Sequence, residues 1–208
     1  MIIEDNVVTG NVYDKYGTKN PIARYLTKNM LSRLDHCVLS SQISSIHEVG
    51  CGEGELSLRY ARMRYSVRAS DFSSQIIEIA KRNAEEHPEL NITFCKKSIY
   101  DLNPEEDSAE LVICSEVLEH LEDPVQAIDI LRKISKKYLL VSVPNEPIWR
   151  ILNMARMSYL SSFGNTPGHI QHWSKKQFIR LMESKFSIVS VSAPLPWVVV
   201  LCKTSEHS

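Results

Sequence analysis

Three glycines at every second position, Gly50, Gly52 and Gly54, constrain this 208-residue chain more than any other feature. An apolar, β-prone lead-in (Ile43, Ile46, Val49) runs into them, and an amphipathic stretch (Leu56, Leu58, Tyr60, Met63) follows. The order is strand, glycine loop, helix. Glycine reaches backbone angles closed to other residues and, lacking a Cβ, lets a ligand press on the main chain. The helix start behind the loop turns free N–H groups and a positive dipole end toward that ligand.

The spacing selects among ligands. A dinucleotide fingerprint reads G-x-G-x-x-G, whereas this chain reads E-x-G-x-G-x-G, with Glu48 two residues ahead of Gly50. No Lys-Ser or Lys-Thr follows the loop, as a P-loop requires. Residues 66–71 read as a second strand ending in Asp71, twenty-one residues after Gly50. A carboxylate at that distance, at the tip of the second strand, is placed to accept both hydroxyls of a ribose. Loop and acid together point to a nucleoside-bearing cofactor in a doubly wound sheet.

Glu48-Val49-Gly50-Cys51-Gly52-Glu53-Gly54, Asp71 and the run Ser115-Glu116-Val117-Leu118-Glu119-His120-Leu121-Glu122-Asp123-Pro124 resemble the motifs of class I S-adenosylmethionine-dependent methyltransferases. The small-molecule branch with the ubiquinone and menaquinone methyltransferases is the most similar in flavour, over roughly residues 44–145. The resemblance implies S-adenosylmethionine (SAM) as cofactor and S-adenosylhomocysteine (SAH) as product. It places Gly50, Cys51, Gly52 and Gly54 against the methionine portion and Asp71 on the ribose. Phe72 would pack on the adenine, and the carbonyls of Cys114 and Ser115 would receive the methionine amino group. Glu48 would order the loop. Ser98 stands where the family commonly carries an acid for the adenine amino group, so main-chain groups of Ser98 and Ile99 are expected to hold the base. Asp101 lies out of register for that role. An N-terminal segment with a tyrosine often closes over the cofactor in such proteins; Tyr16, with Tyr13 and Lys19, is the candidate.

Composition narrows the partners. Lys+Arg 24 against Asp+Glu 25 gives a net charge of −1, which offers no general attraction to nucleic acid or an acidic membrane. No basic, apolar leader opens the chain, and no uncharged apolar run approaches the roughly eighteen residues that span a bilayer. The five scattered cysteines form neither a disulfide framework nor a zinc spacing, so reduced, buried thiols are expected. These features predict a cytoplasmic protein without an integral membrane segment.

The expected fold class is α/β: a doubly wound, mostly parallel seven-stranded sheet with an antiparallel closing hairpin, a Rossmann-like methyltransferase fold. One domain is expected over 1–208, with an N-terminal lid and helix (1–40), a cofactor-binding core (44–145), an acceptor-side cap (146–185) and closing strands (186–203). Pro21 opens a helix to about Cys37, Ser74 one to about Glu86 and Pro124 another; Leu111–Cys114 and Tyr138–Val143 are strands. Residues 148–163 read as one amphipathic helix. The last two strands, around Pro194-Leu195-Pro196, are joined too tightly for a crossover and should pair antiparallel.

Methyl transfer from a sulfonium is an in-line displacement in which the protein mainly orients the acceptor and excludes water. A base is needed when the nucleophile starts protonated. His120, after the fourth strand, and His169 and His172, in Gly168-His169-Ile170-Gln171-His172-Trp173, are the candidates. The H-x-x-H pair has no carboxylate or third histidine nearby in sequence, so no metal is expected. Bulky apolar residues at 149–163, flanked by Arg150 and Arg156, suit an apolar acceptor pocket or a homodimer face. The expected activity is transfer to an oxygen or carbon of a small, partly apolar metabolite. The alternatives are a cofactor-binding regulatory or partner protein without transfer, or methylation of a macromolecule. Against nucleobase amines, Val143-Pro144-Asn145-Glu146-Pro147 does not match an N-P-P-Y tetrad.

Overall fold

A computed structural model describes residues 2–4, 7–9, 18–155, 157, 159 and 162–204. Tyr13, Tyr16 and Arg156 lie outside the described residues, so the tyrosine lid has no structural counterpart to compare. In chain order the elements are β1 (Ile2–Glu4), β2 (Val7–Thr9), α1 (Pro21–Ser40), β3 (Ser45–Val49), α2 (Glu55–Arg62), β4 (Ser66–Asp71), α3 (Ser74–Glu85) and β5 (Ile92–Lys96). They continue with α4 (Pro104–Asp107), β6 (Ala109–Ser115), α5 (Pro124–Ile134), β7 (Ser135–Pro144), α6 (Ile148–Ala155), α7 (Lys175–Glu183), β8 (Ser187–Ser192) and β9 (Trp197–Lys203). Short 3-10 turns occupy Ile99–Asp101 and Leu118–His120.

Seven strands form one sheet in the order β5-β4-β3-β6-β7-β9-β8. The first five pair in parallel. β9 runs antiparallel between β7 and β8. The expected fold class is therefore the one observed, closing hairpin included. Strand order reverses between β3 and β6, so the glycine loop after β3 and the 115–120 turn after β6 face each other at the switch point, where such sheets bind ligands.

Alternation along the strands builds a core on each face. Val112, Cys114, Leu139, Val141, Val198 and Val200 pack with Leu131 of α5 and Phe178 and Met182 of α7. Ile46, Leu111, Ile113, Leu140, Val199 and Leu201 pack with Leu34 and Val38 of α1 and Tyr60 of α2. Each fully buried aliphatic side chain contributes about 1.5–3 kcal/mol relative to exposure. All five cysteines are free thiols; four are buried and Cys95 is half-buried.

Helix starts follow local chemistry. Asn20 caps α1 ahead of Pro21, Asp123 caps α5 ahead of Pro124, and Ser174 closes a capping box with Gln177 at α7. Three expectations are corrected. β7 begins at Ser135, because Ser135 pairs with Ala109 directly after α5. The helix expected over 148–163 ends at Ala155, since Met157, Tyr159 and Phe163 carry left-handed backbone angles (φ 58°, 56° and 48°) that no α-helix accommodates. The β1–β2 hairpin was not anticipated from a segment read as a lid.

Candidate cofactor and acceptor site

The glycine loop is tied down before any ligand is considered. The N–H groups of Gly50 and Cys51 both donate to the carbonyl of Ser70 at the end of β4, at 2.8 and 3.0 Å. The N–H of Gly52 donates to Asp71 Oδ2 at 3.0 Å, and that of Ser73 to Oδ1 at 3.1 Å. Asp71 is thus fixed at the tip of β4 beside the loop. Glu48, buried within β3, accepts a hydrogen bond from the Ser57 hydroxyl on α2, so it orders the loop by anchoring the helix behind it.

The glycines differ in what they do. A Cβ on Gly50 would lie 2.3 Å from Val117 Cγ2, so this glycine lets the loop pack on the turn after β6. Among the described residues a Cβ on Gly52 would meet nothing within 4 Å, although its φ is +53°. The described residues leave open space in front of Gly52, as a cradle for a ligand requires. Phe72, Ser98 and Ser115 line the same sheet edge half-buried, while Ile99 and Cys114 are buried and can offer only main-chain groups. The Ser98 hydroxyl accepts from the N–H of Tyr100, which occupies it locally. Burial pushes the Cys114 thiol well above its usual range and does the same to Cys51, so neither acts as a nucleophile.

Beyond the glycine loop the turn at 118–120 meets a loop that begins about thirty residues downstream of α5. The N–H groups of Ile170 and Gln171 both donate to the carbonyl of Glu119 at 3.0 Å, and Gln171 Nε2 donates to the Leu121 carbonyl. These bonds bring His169 against His120, ring centroids 4.9 Å apart and edge to face. His120 Nδ1 lies 2.9 Å from the Gly168 carbonyl. A carbonyl only accepts, so Nδ1 carries a proton, and in the neutral ring Nε2 presents the lone pair. Trp149 of α6 stacks on His169 (5.8 Å, 28°) and donates from Nε1 to Thr166 Oγ1 at 2.9 Å. Burial, reinforced by the neighbouring His120 and His172, pushes the pKa of His169 down to about 3, so it is neutral at physiological pH.

Ligating atoms of Glu119, His120 and His169 all lie within 4.8 Å of one another. The missing carboxylate that counted against a metal in the sequence is supplied in space by Glu119. Two imidazoles and one carboxylate form a donor set suited to a divalent transition metal with positions left open for substrate. His172 stands apart from this group, with Nδ1 3.8 Å from Glu146 Oε1. Sequence reading gave no role to Glu119 or Glu146, and named Trp149 only among the bulky apolar residues of the 148–163 stretch. Glu119 was within a quoted motif, but only the fold shows its proximity to His169.

Comparison with known proteins defines the class. Residues 46–137 match the family model described as a methyltransferase domain. The magnesium protoporphyrin IX methyltransferase of Synechocystis PCC 6803, solved with bound SAH, superposes with a TM-score of 0.70 at 19% identity, covering 91% of this chain and 90% of that one. The N-methyltransferase NodS of Bradyrhizobium japonicum superposes with a TM-score of 0.66 at 18% identity, covering 88% and 98%. The fold is that of class I S-adenosylmethionine-dependent methyltransferases, and the methyltransferase-domain match spans the glycine loop and Asp71. Within that class the chain is similar to ubiquinone biosynthesis O-methyltransferases. The Coxiella burnetii protein is 26% identical over 151 residues, covering 65% of this chain and 63% of its own length. The mitochondrial protein of Schizosaccharomyces pombe is 40% identical over 81 residues, covering 38% and 29%. The chain thus spans less than two thirds of the length of these relatives. The open cradle at Gly52 and the anchored Asp71 fit SAM as the cofactor. Among the described residues, no helix is long and apolar enough to cross a membrane.

Proposed function

We propose that this chain transfers the methyl group of SAM to a hydroxyl oxygen of a small, partly apolar acceptor. The observation that carries the oxygen preference is the Glu119–His120–His169 group, set next to the glycine loop at the carboxyl edge of the sheet. A hydroxyl is a poor nucleophile until it loses its proton, and this is the only cluster of that kind among the described residues. Similarity to O-methyltransferases supports the same choice.

Gly50, Gly52 and Asp71 bind the cofactor, and the carbonyls of Cys114 and Ser115 orient its methionine end. Trp149 and His169 flank the acceptor with apolar surface. His120 Nε2 takes the hydroxyl proton as the methyl–sulfur bond breaks and the methyl–oxygen bond forms, leaving SAH and a methyl ether. If a divalent cation binds, Glu119, His120 and His169 would hold it, and His120 Nε2 would then serve as ligand in place of its role as base. Such an ion supplies Lewis acidity that lowers the pKa of a coordinated hydroxyl.

The test has two parts. Calorimetry with SAM and SAH on wild type and Asp71→Ala establishes the cofactor site. Turnover on a panel of hydroxylated acceptors, before and after chelation and with Mg²⁺, Mn²⁺ or Zn²⁺ restored, then reads the chemistry. Turnover on amines or carbon acids alone would overturn the oxygen assignment. Cofactor binding with no turnover on any acceptor would favour a regulatory role.

A further inference from the structure

The last turn of the acceptor face holds a group that neither cofactor binding nor proton removal uses. Glu146 lies just beyond β7, at the same carboxyl edge as the glycine loop, and is 7% exposed. Its N–H donates to the Trp173 carbonyl at 2.9 Å, which pins the residue under the 164–173 loop. Among the described residues neither carboxyl oxygen has a partner in full hydrogen-bond geometry, and the N–H of Arg150 in α6 is the main-chain donor that acts on it. His172 Nδ1, at 3.8 Å from Oε1, is in charge range but outside hydrogen-bond distance, and His172 is itself part-exposed. On the next turn, His169 Nδ1 is likewise buried without a partner.

Buried polar groups in folded proteins nearly always find partners, and an unpaired carboxylate carries a larger penalty than a neutral group. Here a carboxylate, which only accepts, is buried at the same sheet edge as the glycine loop with less donor contact than its charge calls for. Burial raises its pKa, and the lowering influence of His172 and of the N–H and charge of Arg150 offsets this only in part. A ligand that brings a donor to Glu146 removes the penalty; one that brings a second anion adds to it.

We propose that Glu146, covered by His172, is a specificity-determining residue that receives a hydrogen-bond-donating group of the acceptor, hydroxyl or protonated amine, and rejects acceptors with a carboxylate at that position. The inference deepens the acceptor assignment above and rests on it for the location of the acceptor face. His172 is the movable part of the cover, because it is the more exposed of the pair. The group at Glu146 is distinct from the reacting hydroxyl at His120, so the acceptor is held at two points.

Three probes of one shape test this by calorimetry in the presence of SAH: benzyl alcohol, benzylamine and benzoate. No methyl transfer is required, so the outcome is separable from failure of the O-methylation reading, which turnover reports. The expected result is binding of at least one donor probe about tenfold or more tighter than benzoate, the range set by one hydrogen bond to a charged group. Glu146→Gln should erase that preference while SAH affinity stays unchanged, and His172→Gln should leave the preference in place. Thermal melting of both variants checks that they fold. Equal binding of the three probes, absence of binding by both donor probes, or a preference that survives Glu146→Gln would each overturn the proposal, leaving Glu146 a structural residue served by ordered water.

Discussion

His120 and Gly168 are 48 residues apart in the chain, yet the His120 ring donates from Nδ1 to the Gly168 carbonyl at 2.9 Å. That bond sets the tautomer of the proposed base and ties its orientation to the 164–171 loop. Gly168 has a φ of +86°, and a Cβ there would sit 3.3 Å from His120 Nδ1. Gly168→Ala should therefore destabilise the protein by about 1–2 kcal/mol through the left-handed backbone. It should also lower turnover while leaving SAH affinity intact. Denaturant unfolding, kinetics and calorimetry on one preparation read all three.

The two glycines at the front of the cofactor loop should respond differently to the same substitution. Gly50→Ala meets Val117 at 2.3 Å as well as a φ of +74°, so its expected penalty is about 2–5 kcal/mol of stability. Gly52→Ala meets no atom within 4 Å and carries only the backbone strain, about 1–2 kcal/mol. The Gly52 variant should stay folded in urea yet lose SAM binding, because the methyl fills the cradle. Equal stability losses would refute the division of roles.

Asp71→Ala removes a carboxylate that the loop already holds through Gly52 and Ser73. Two charge-assisted hydrogen bonds to the ribose at about 1.5 kcal/mol each correspond to a loss of SAH affinity of roughly a hundredfold or more. Retained affinity in calorimetry would move the nucleoside away from β4.

Acid stability should depend on a residue at the other end of the sheet. Glu110 of β6 is held by Lys137 Nζ at 2.6 Å and by the N–H and hydroxyl of Ser44 at 2.6 and 2.7 Å. These partners, Lys137 foremost, lower its pKa from 4.5 to about 2. A carboxyl with a depressed folded pKa adds stability that is complete above its unfolded value and is lost on protonation. Wild type should lose that increment as pH falls from about 4.5 to about 2, whereas Glu110→Gln should start lower and show a shallower decline in that window. Parallel melting curves for the two proteins would contradict the assignment.

What could be read in the sequence was local. The glycine spacing, Asp71 and the alternating strand–helix pattern depend on neighbours within about twenty residues, and the sheet order follows from them. Asn20, Asp123 and Ser174 announce their helices in the same way. Glu119 was different: its partner His169 lies fifty positions on, and no spacing rule links them. Glu146 was invisible for a second reason, since a glutamate after a strand says nothing about burial until Trp173 closes over it. The helix expected over 148–163 failed because its apolar periodicity continues through residues whose backbone turns left-handed at Met157, Tyr159 and Phe163.

The two donors from Ile170 and Gln171 to the Glu119 carbonyl make the proposed acceptor chemistry contingent on one long-range seam. The anchoring of the glycine loop and Asp71 closes within residues 48–73, whereas the Glu119–His120–His169 group exists only while a loop more than forty residues downstream stays docked. Local opening of that seam, which needs far less free energy than global unfolding, would leave a chain that still captures SAM but has no means of spending its methyl group.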